Sequence, residues 1–200
     1  MPKRDILVGL ALLLFVLAAG ILQARGWFDG FDLALTGHIA GWREGGGAGL
    51  TPFLLMLSNL TDSVGRLIML ALLAALFLWR GAFRHWLWLA SVSVAAMLLN
   101  SALKRLFQAE RPDVMTHLDH TLSYSFPSGH ACGNMVFFGA LAMASGSRIR
   151  WAAALPVILL IGVSRVWLGV HWPSDVICGW IEGAAILLIS RHWLPPARRQ

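Results

Sequence analysis

Long apolar runs separated by short polar connections dominate the hydrophobic pattern of the chain. The six runs cover residues 6–22, 64–79, 86–103, 131–145, 151–168 and 176–189. A helix needs about 17 to 25 apolar residues to cross the hydrocarbon core of a bilayer, and the runs reach or approach that length. The pattern therefore predicts an all-α, polytopic membrane protein with six transmembrane helices.

The stretch between the first two runs has a different periodicity. Phe31, Leu35, Ile39 and Trp42 recur at helical spacing, which predicts an amphipathic helix that lies flat on the outer membrane surface. The glycines at 45–47 are expected to end this helix. An interfacial helical segment is thus predicted between the first and second spans.

The composition supports a membrane protein and argues against a nucleic-acid-binding protein. Hydrophobic residues make up 58% of the 200 residues and charged residues 13%, whereas a soluble domain of this length needs more polar surface. The formal net charge is +6. The basic residues form short clusters between apolar runs and not one patch, so no nucleic-acid partner is expected. The length fits a single domain over residues 1–200.

The basic clusters predict the orientation in the membrane. Nine of the sixteen Lys and Arg residues fall on one side of the six-span arrangement: Lys3, Arg4, Arg80, Arg84, Arg148, Arg150, Arg191, Arg198 and Arg199. The positive-inside rule places this side, with both termini, in the cytoplasm. The predicted location is the inner (plasma) membrane, with the opposite span ends facing the periplasm or exterior. Because the first run is long for a signal-peptide core, we expect it to remain as a helix.

A first cluster of candidate binding residues follows the third run. Lys104 and Arg111 are seven residues apart, so a third helix that continued to Pro112 would carry both cations on one face. A basic collar at the membrane surface is the alternative interpretation.

The second cluster is Pro127, Ser128, Gly129 and His130, directly before the fourth run. Proline and small residues at a helix start leave backbone N–H groups pointing outward, and the helix dipole helps them to bind an anion. Gly129 carries no side chain that would obstruct the anion. The alternative is an ordinary capped helix with a histidine at the membrane surface.

The third cluster consists of Ser164, Arg165, His171 and Asp175. His171 and Asp175 are four residues apart, so at a helix start the carboxylate can reach the imidazole. A carboxylate on one ring nitrogen fixes the tautomer and leaves the other nitrogen free to attack an electrophile. The alternative is a purely structural hydrogen bond between the two side chains.

Together, the three clusters resemble the signatures of the type 2 phosphatidic acid phosphatase superfamily: Lys-x6-Arg-Pro at 104–112, Pro-Ser-Gly-His at 127–130 and Ser-Arg-x5-His-x3-Asp at 164–175. The resemblance implies a lipid phosphate phosphatase in which His171 is the nucleophile and forms a phosphohistidine. It implies that Asp175 orients His171, and that His130 is the general acid and then the base for the hydrolytic water. The implied phosphate-binding residues are Lys104, Arg111, Ser128, Gly129 and Arg165.

The charges agree with phosphate chemistry that needs no metal. A phosphate monoester carries a charge of about −1.5 to −2 near neutral pH, which three cations more than balance. Phosphoryl transfer depends mainly on positioning and on stabilising the equatorial oxygens. The ten acidic residues are scattered. Cys132 and Cys178 form no CxxC pair and are expected to be buried thiols. We therefore expect neither a metal nor another cofactor.

Several substrates fit these observations. The clusters lie at span ends, where a lipid presents its phosphate, so the expected partners are the bilayer and a lipid phosphate. The compact chain with short loops is typical of a bacterial protein, which favours undecaprenyl diphosphate, with phosphatidylglycerol phosphate, phosphatidate and a lipid A phosphate next. Alternatives are a phosphatase for a soluble ester, a non-catalytic lipid phosphate transporter or receptor, and the vanadate-dependent haloperoxidases, which share the motifs but are soluble. The oligomeric state is left open.

Overall fold

The computed structural model describes residues 2–196, and its regular structure is helical. Eight α-helices follow in chain order: α1 (Pro2–Gln23), α2 (Asp29–Glu44), α3 (Thr51–Leu60), α4 (Ser63–Trp79), α5 (Phe83–Phe107), α6 (Gly129–Ala144), α7 (Arg148–Trp167) and α8 (Pro173–Ser190). Short 3₁₀ turns occupy Gly47–Leu50 and Arg191–Trp193. The predicted all-α fold is confirmed: each of the six apolar runs is helical, and no strand occurs in residues 2–196.

The six runs do not qualify equally as membrane spans. Within residues 2–196, α1, α5, α7 and α8 are long and apolar enough to cross a bilayer. The pair α3 and α4 qualifies only as one span with a bend of 57°. Helix α6 is apolar but has 16 residues, which corresponds to about 24 Å at a rise of about 1.5 Å per residue. Length and composition therefore support four or five spans, and a sixth crossing by α6 stays a prediction.

Helix α2 buries some of its polar side chains against the protein and exposes most of its large apolar ones, although Ile39 packs inward. Phe31 and Trp42 are exposed, whereas Asp32 and Arg43 are buried. The helix ends at Glu44, where the run of glycines begins. The predicted helix is therefore present, and its outward apolar face suits an apolar environment.

Helix α6 packs against α5, α7 and α8. Two glycines on α8 allow the backbones of α6 and α8 to approach closely. A Cβ atom at Gly179 would lie 2.5 Å from the Ser128 carbonyl oxygen, and a Cβ atom at Gly183 would lie 2.8 Å from the Cys132 carbonyl oxygen. Small residues four positions apart are typical of helix contacts in membranes. The contact places the start of α6 beside the start of α8. Cys132 and Cys178 are buried free thiols, as predicted.

The two ends of the bundle are built differently. At one end Arg191 Nη1 lies 3.2 Å from Asp5 Oδ2, so the start of α1 meets the end of α8. At the other end the loop of residues 108–128 connects α5 to α6. This loop also contacts the turn after α7, because the Leu118 N–H donates to the Leu168 carbonyl oxygen at 2.9 Å. All three motif clusters lie at this second end.

The third helix does not continue to Pro112, so Lys104 and Arg111 do not share one helix face. Helix α5 ends at Phe107, because Gln108 adopts a left-handed conformation with φ 48°, which a continuing α-helix does not contain. Arg111 therefore lies in the loop. A hydrogen bond of 2.9 Å from the Ser125 N–H to the Ala109 carbonyl oxygen closes that loop.

Candidate active site

A buried histidine–aspartate pair lies at the start of α8. His171, in the turn after α7, and Asp175, in the first turn of α8, are 2% and 0% exposed. His171 Nδ1 lies 3.3 Å from Asp175 Oδ2. That oxygen also accepts hydrogen bonds from the Trp172 N–H at 2.9 Å and from the Ser125 hydroxyl. Gln23 Nε2 donates to Asp175 Oδ1 at 2.7 Å, so four groups fix the carboxylate.

His171 is held in the protonation state that a nucleophile needs. Burial lowers the pKa of His171 well below its usual value of 6.5. Three nearby cations act in the same direction: Lys104, Arg111 and Arg165. The ring is therefore neutral near pH 7. Because Nδ1 faces the Asp175 carboxylate, we assign the proton to Nδ1, which leaves the lone pair on Nε2. Nε2 lies 3.5 Å from Arg111 Nη1.

Lys104 and Arg111 meet through the loop and not along one helix face. Both donate to the Tyr124 carbonyl oxygen, Lys104 from Nζ at 2.5 Å and Arg111 from Nη2 at 3.2 Å. Arg111 also donates to the carbonyl oxygens of Ser123, at 2.9 Å, and Val170. Burial lowers the pKa of Arg111 to about 10, so Arg111 remains a cation at neutral pH. The two predicted cations are therefore close together, but through contacts with the loop that the sequence did not predict.

The third predicted cation, Arg165, is buried in the last turn of α7. Its Nη1 lies 2.6 Å from Asp119 Oδ2 and also donates to the Ser58 hydroxyl. Within residues 2–196, its Nε and Nη2 atoms are buried and have no hydrogen-bond partner. Such donors are rare in proteins, and guanidinium donors bind phosphate oxygens well. The Ser164 hydroxyl, by contrast, donates to its own helix, at 2.6 Å from the Ile161 carbonyl oxygen.

Ser128, Gly129 and His130 form the start of α6. Ser128 is the N-cap residue, and its Oγ accepts a first-turn N–H at 3.5 Å. A Cβ atom at Gly129 would lie 3.0 Å from Asn100 Oδ1, so a side chain there would crowd the site. The N–H groups of the first turn have no partner within the helix and carry partial positive charge. His130 Nε2 lies 3.3 Å from the Ser58 carbonyl oxygen.

A cavity of about 260 Å³ collects these groups. Six of the eight predicted site residues line it: Lys104, Arg111, Gly129, His130, Arg165 and His171. The other two, Ser128 and Asp175, are buried beside it. The cavity continues between α4 and α5, past Arg66 and Met97. The structure thus brings all eight residues to one place, while their roles stay predictions.

The sequence did not predict several polar residues that hold the site: Gln23, Asp32, Ser58, Asp119 and Ser125. Asp32 accepts hydrogen bonds from the Ser174 N–H at 2.8 Å and the Ser174 hydroxyl at 2.6 Å, at the start of α8. Burial raises the pKa of Asp32 above its usual range. Gln23 gave a usable signal, because a polar side chain at the end of a predicted span is usually paired. Ser58 lies outside the six predicted spans and beside Asn59, so no such signal was present there.

Comparison with known proteins agrees with the motif clusters. The model of the PAP2 superfamily matches residues 85–199, more than half of the chain. An undecaprenyl-diphosphatase from Sulfolobus acidocaldarius is 35% identical over 103 residues, which are 48% of this chain and 49% of that protein. A decaprenylphosphoryl-5-phosphoribose phosphatase from Mycobacterium tuberculosis is 35% identical over 124 residues, which are 60% of this chain and 66% of that protein. The chain therefore matches about half to two thirds of the length of these relatives.

A solved structure shares the fold over nearly the whole chain. The crystal structure of a transmembrane PAP2-type phosphatidylglycerolphosphate phosphatase from Bacillus subtilis matches with a TM-score of 0.82 at 25% identity. The match covers 92% of this chain and 94% of that protein. With the family match, the shared fold and three motif clusters around one cavity, the chain belongs to the PAP2 superfamily.

Proposed function

We propose that the chain is an integral-membrane phosphatase that removes the terminal phosphate of a lipid phosphate or diphosphate through a phosphohistidine, without a metal ion. The observation that carries the proposal is the pairing of His171 Nδ1 with Asp175 while Nε2 faces a cavity lined by cations. The name of the Sulfolobus relative supports undecaprenyl diphosphate as the favoured substrate. Phosphatidylglycerol phosphate, supported by the Bacillus structure, and phosphatidate come next.

The proposed reaction has two displacement steps. In the first, His171 Nε2 attacks phosphorus, the bond between phosphorus and the leaving oxygen breaks, and His130 gives a proton to that oxygen. In the second, His130 takes a proton from water, the water oxygen attacks the phosphohistidine, and the bond from phosphorus to Nε2 breaks to release inorganic phosphate. Asp175 stabilises the positive charge on His171 between the steps. The unpartnered donors of Arg165 and the first-turn N–H groups of α6 bind the equatorial oxygens.

Side-chain cations take the part of a metal ion in this proposal. Lys104, Arg111 and Arg165 together balance the charge of a phosphate monoester, about −1.5 to −2 near neutral pH. Within residues 2–196, no group of three His, Cys, Asp or Glu side chains could hold an ion. The cations act on the phosphoryl oxygens, where charge is stabilised during transfer.

The proposed membrane arrangement has six crossings, with α3 and α4 as one bent span and α6 as a short one. Both termini lie in the cytoplasm, the site faces the periplasm or exterior of the inner (plasma) membrane, and α2 lies in the outer interface. Helix α6 is about 24 Å long and the hydrocarbon core is about 30 Å thick. Because α6 falls only about 6 Å short of the core thickness, the site at its start lies near the headgroup plane in this arrangement, where a lipid presents its phosphate.

Two introduced cysteines test this orientation. Leu122 is fully exposed in the loop at the site end, and Arg150 is exposed near the start of α7 at the other end. In intact cells, Leu122→Cys should react with an impermeant thiol reagent, whereas Arg150→Cys should react only after permeabilisation. Labelling of position 150 from outside, with position 122 protected, would reverse the orientation.

Phosphate release by the purified protein in micelles tests the function. We expect release from undecaprenyl diphosphate, phosphatidylglycerol phosphate or phosphatidate in excess EDTA, and inhibition by vanadate, which mimics five-coordinate phosphorus. Activity that EDTA abolishes and magnesium restores would contradict the metal-free mechanism. Faster release from water-soluble sugar phosphates than from any lipid would contradict a lipid substrate. Binding of lipid phosphates without hydrolysis would indicate a transporter or receptor.

A further inference from the structure

A fourth cation, Arg66, lines the same cavity as the motif residues. It lies in the first turn of α4, outside the three motifs and outside the matched residues 85–199. We propose that Arg66 binds the lipid-side phosphate of a diphosphate substrate and so favours lipid diphosphates over lipid monophosphates. This inference rests on the proposed phosphatase function and specifies the substrate class of that site.

Contacts with α6 define where the Arg66 guanidinium lies. A Cβ atom at Gly133 would lie 2.4 Å from Arg66 Cζ, so the guanidinium lies directly against the backbone at this glycine. Gly133 follows His130 by three residues and shares its helix face, about 4.5 Å further along the helix axis. Arg66 is therefore one turn of α6 beyond His130, towards the middle of the bundle.

The cations are distributed unequally around the two histidines. The strongest cationic influences on His171 come from Lys104, Arg111 and Arg165, and those on His130 come from Arg165 and Arg66. In phosphoryl transfer the attacking and leaving atoms lie roughly in line on opposite sides of phosphorus. With His171 attacking, the leaving oxygen is on the His130 side. If the leaving group is itself a phosphate, its negative charge comes to lie next to Arg66.

Arg66 has donors available for such a phosphate. Its Nη1 donates to the Thr61 carbonyl oxygen at 2.6 Å and its Nη2 to the Ser63 hydroxyl at 3.3 Å, which uses two of the five guanidinium N–H groups. Among residues 2–196 the ion pairs are those of Arg165, His171 and Arg191, so Arg66 has no carboxylate partner. Asp62, the N-cap residue of α4, is an acidic neighbour of Arg66 but lies beyond ion-pair distance. A cation without an ion pair in an apolar helix indicates a functional site.

A structural role at the end of α3 accounts for Arg66 less well. The Thr61 carbonyl oxygen, freed where α3 ends, already accepts a hydrogen bond of 2.9 Å from Asn134 Nδ2. A second donor there is not required. A monoester also offers Arg66 no target, because its leaving group is an alkoxide that takes a proton from His130. The diphosphate is the substrate class that uses both His130 and Arg66.

Arg66→Gln tests the proposal by comparing two substrates. The kcat/KM for farnesyl diphosphate should fall about 10- to 100-fold, the range of one charge-assisted hydrogen bond, while that for phosphatidate changes little. Arg66→Lys, which keeps the charge, should recover part of the loss. Equal losses on both substrates, or no loss on the diphosphate, would overturn the proposal.

Two control variants separate charge at the subsite from other effects. Arg105→Gln removes an exposed cation on α5 at the same end of the molecule and should leave the ratio of the two kcat/KM values unchanged. Asn134→Ala removes the other donor to Thr61 and should affect both substrates equally, as a structural role predicts. A shift in this ratio by Asn134→Ala equal to that of Arg66→Gln would assign the effect to the end of α3 and overturn the subsite.

Binding distinguishes failure of the subsite from failure of the phosphatase proposal. Farnesyl methylenebisphosphonate should bind the wild-type protein more tightly than farnesyl phosphonate, and Arg66→Gln should remove this difference. If wild type hydrolyses no lipid but shows this Arg66-dependent preference, the subsite stands and the phosphatase proposal fails. Equal bisphosphonate affinity in wild type and Arg66→Gln would overturn the subsite even in an active enzyme.

Discussion

The two halves of the chain contribute to the site in different ways. Helices α5 to α8, the loop of residues 108–128 and the turn between α7 and α8 carry all eight predicted site residues, and most of these line one cavity. Helices α1 to α4 carry none of them. Four polar side chains from this first half nevertheless reach the site or its supports: Gln23, Asp32, Ser58 and Arg66.

The second half of the chain supplies the reacting groups, and the first half mainly supplies side chains that position them. The second half supplies a neutral imidazole and three cations around one cavity. The first half supplies isolated polar groups, and three of them hold a named partner: Gln23 holds Asp175, Asp32 holds Ser174, and Ser58 holds Arg165. Unpaired polar groups are costly in lipid, which explains why these residues are paired. Substitutions of the predicted site residues in the second half should therefore cost more activity than substitutions of the positioning residues in the first half.

The largest expected effect is that of His171→Gln in the second half. Loss of the nucleophile should lower kcat by about 10⁴-fold or more on every substrate, because the remaining groups cannot replace the covalent step. Phosphate release from both phosphatidate and a lipid diphosphate checks this. His120→Gln, at an exposed histidine of the loop, is the matched control and should keep full activity. Substantial turnover by His171→Gln would contradict the assignment of the nucleophile to the second half of the chain.

His130→Ala should have a smaller effect that depends on the substrate. General acid catalysis is worth about 10²- to 10⁴-fold, and an alkoxide needs the proton far more than a phosphate whose pKa is about 6. The loss should therefore span most of that range on phosphatidate and be clearly smaller on undecaprenyl diphosphate. Parallel measurements of kcat on the two lipids decide. Equal losses would mean that His130 holds the phosphate or activates water instead.

Gln23→Leu tests the positioning role of the first half. Removing one donor to the Asp175 carboxylate should lower kcat about tenfold, as expected for a hydrogen bond to a charged group. KM should stay unchanged, because Gln23 does not touch the cavity cations. Asn59→Leu, which removes an exposed amide on α3, is the control. A rise in KM with kcat preserved would contradict the positioning role.

The smallest expected effect is on stability at acid pH. The folded protein keeps His171 neutral because burial lowers its pKa, whereas the unfolded chain protonates it below about 6.5. The groups that face the ring are Lys104, Arg111, Arg165 and Asp175. The unfolded state then binds more protons, so the contribution of His171 to stability falls as the pH drops below 6.5. The Tm of wild type should fall more between pH 7.5 and 5 than that of His171→Gln. Parallel curves would contradict a neutral, buried His171.

The sequence predicted the second half of the molecule better than the first. Apolar runs indicated the helices, and fixed spacings indicated His171, Asp175 and Arg165, because both signals are local. The end of α5 was missed because the residue with the left-handed conformation is Gln108 and not glycine, the residue that usually marks such a helix end. Partners such as Gln23 and Asp175 are 152 residues apart in sequence, and only the packing of α1 against α8 brings them together. A periodic pattern in the sequence indicates which residues share a face of one helix, and it cannot indicate a contact between two distant helices.

Trapping of the covalent intermediate tests the central role of His171 most directly. The protein is mixed with a lipid phosphate labelled with ³²P, quenched in alkali within milliseconds, and digested for peptide mapping. We expect an alkali-stable, acid-labile label on the peptide that contains His171, formed at least as fast as phosphate is released. The label should be absent from His171→Gln. Label on another residue, or steady turnover with no labelled protein at any quench time, would contradict the account.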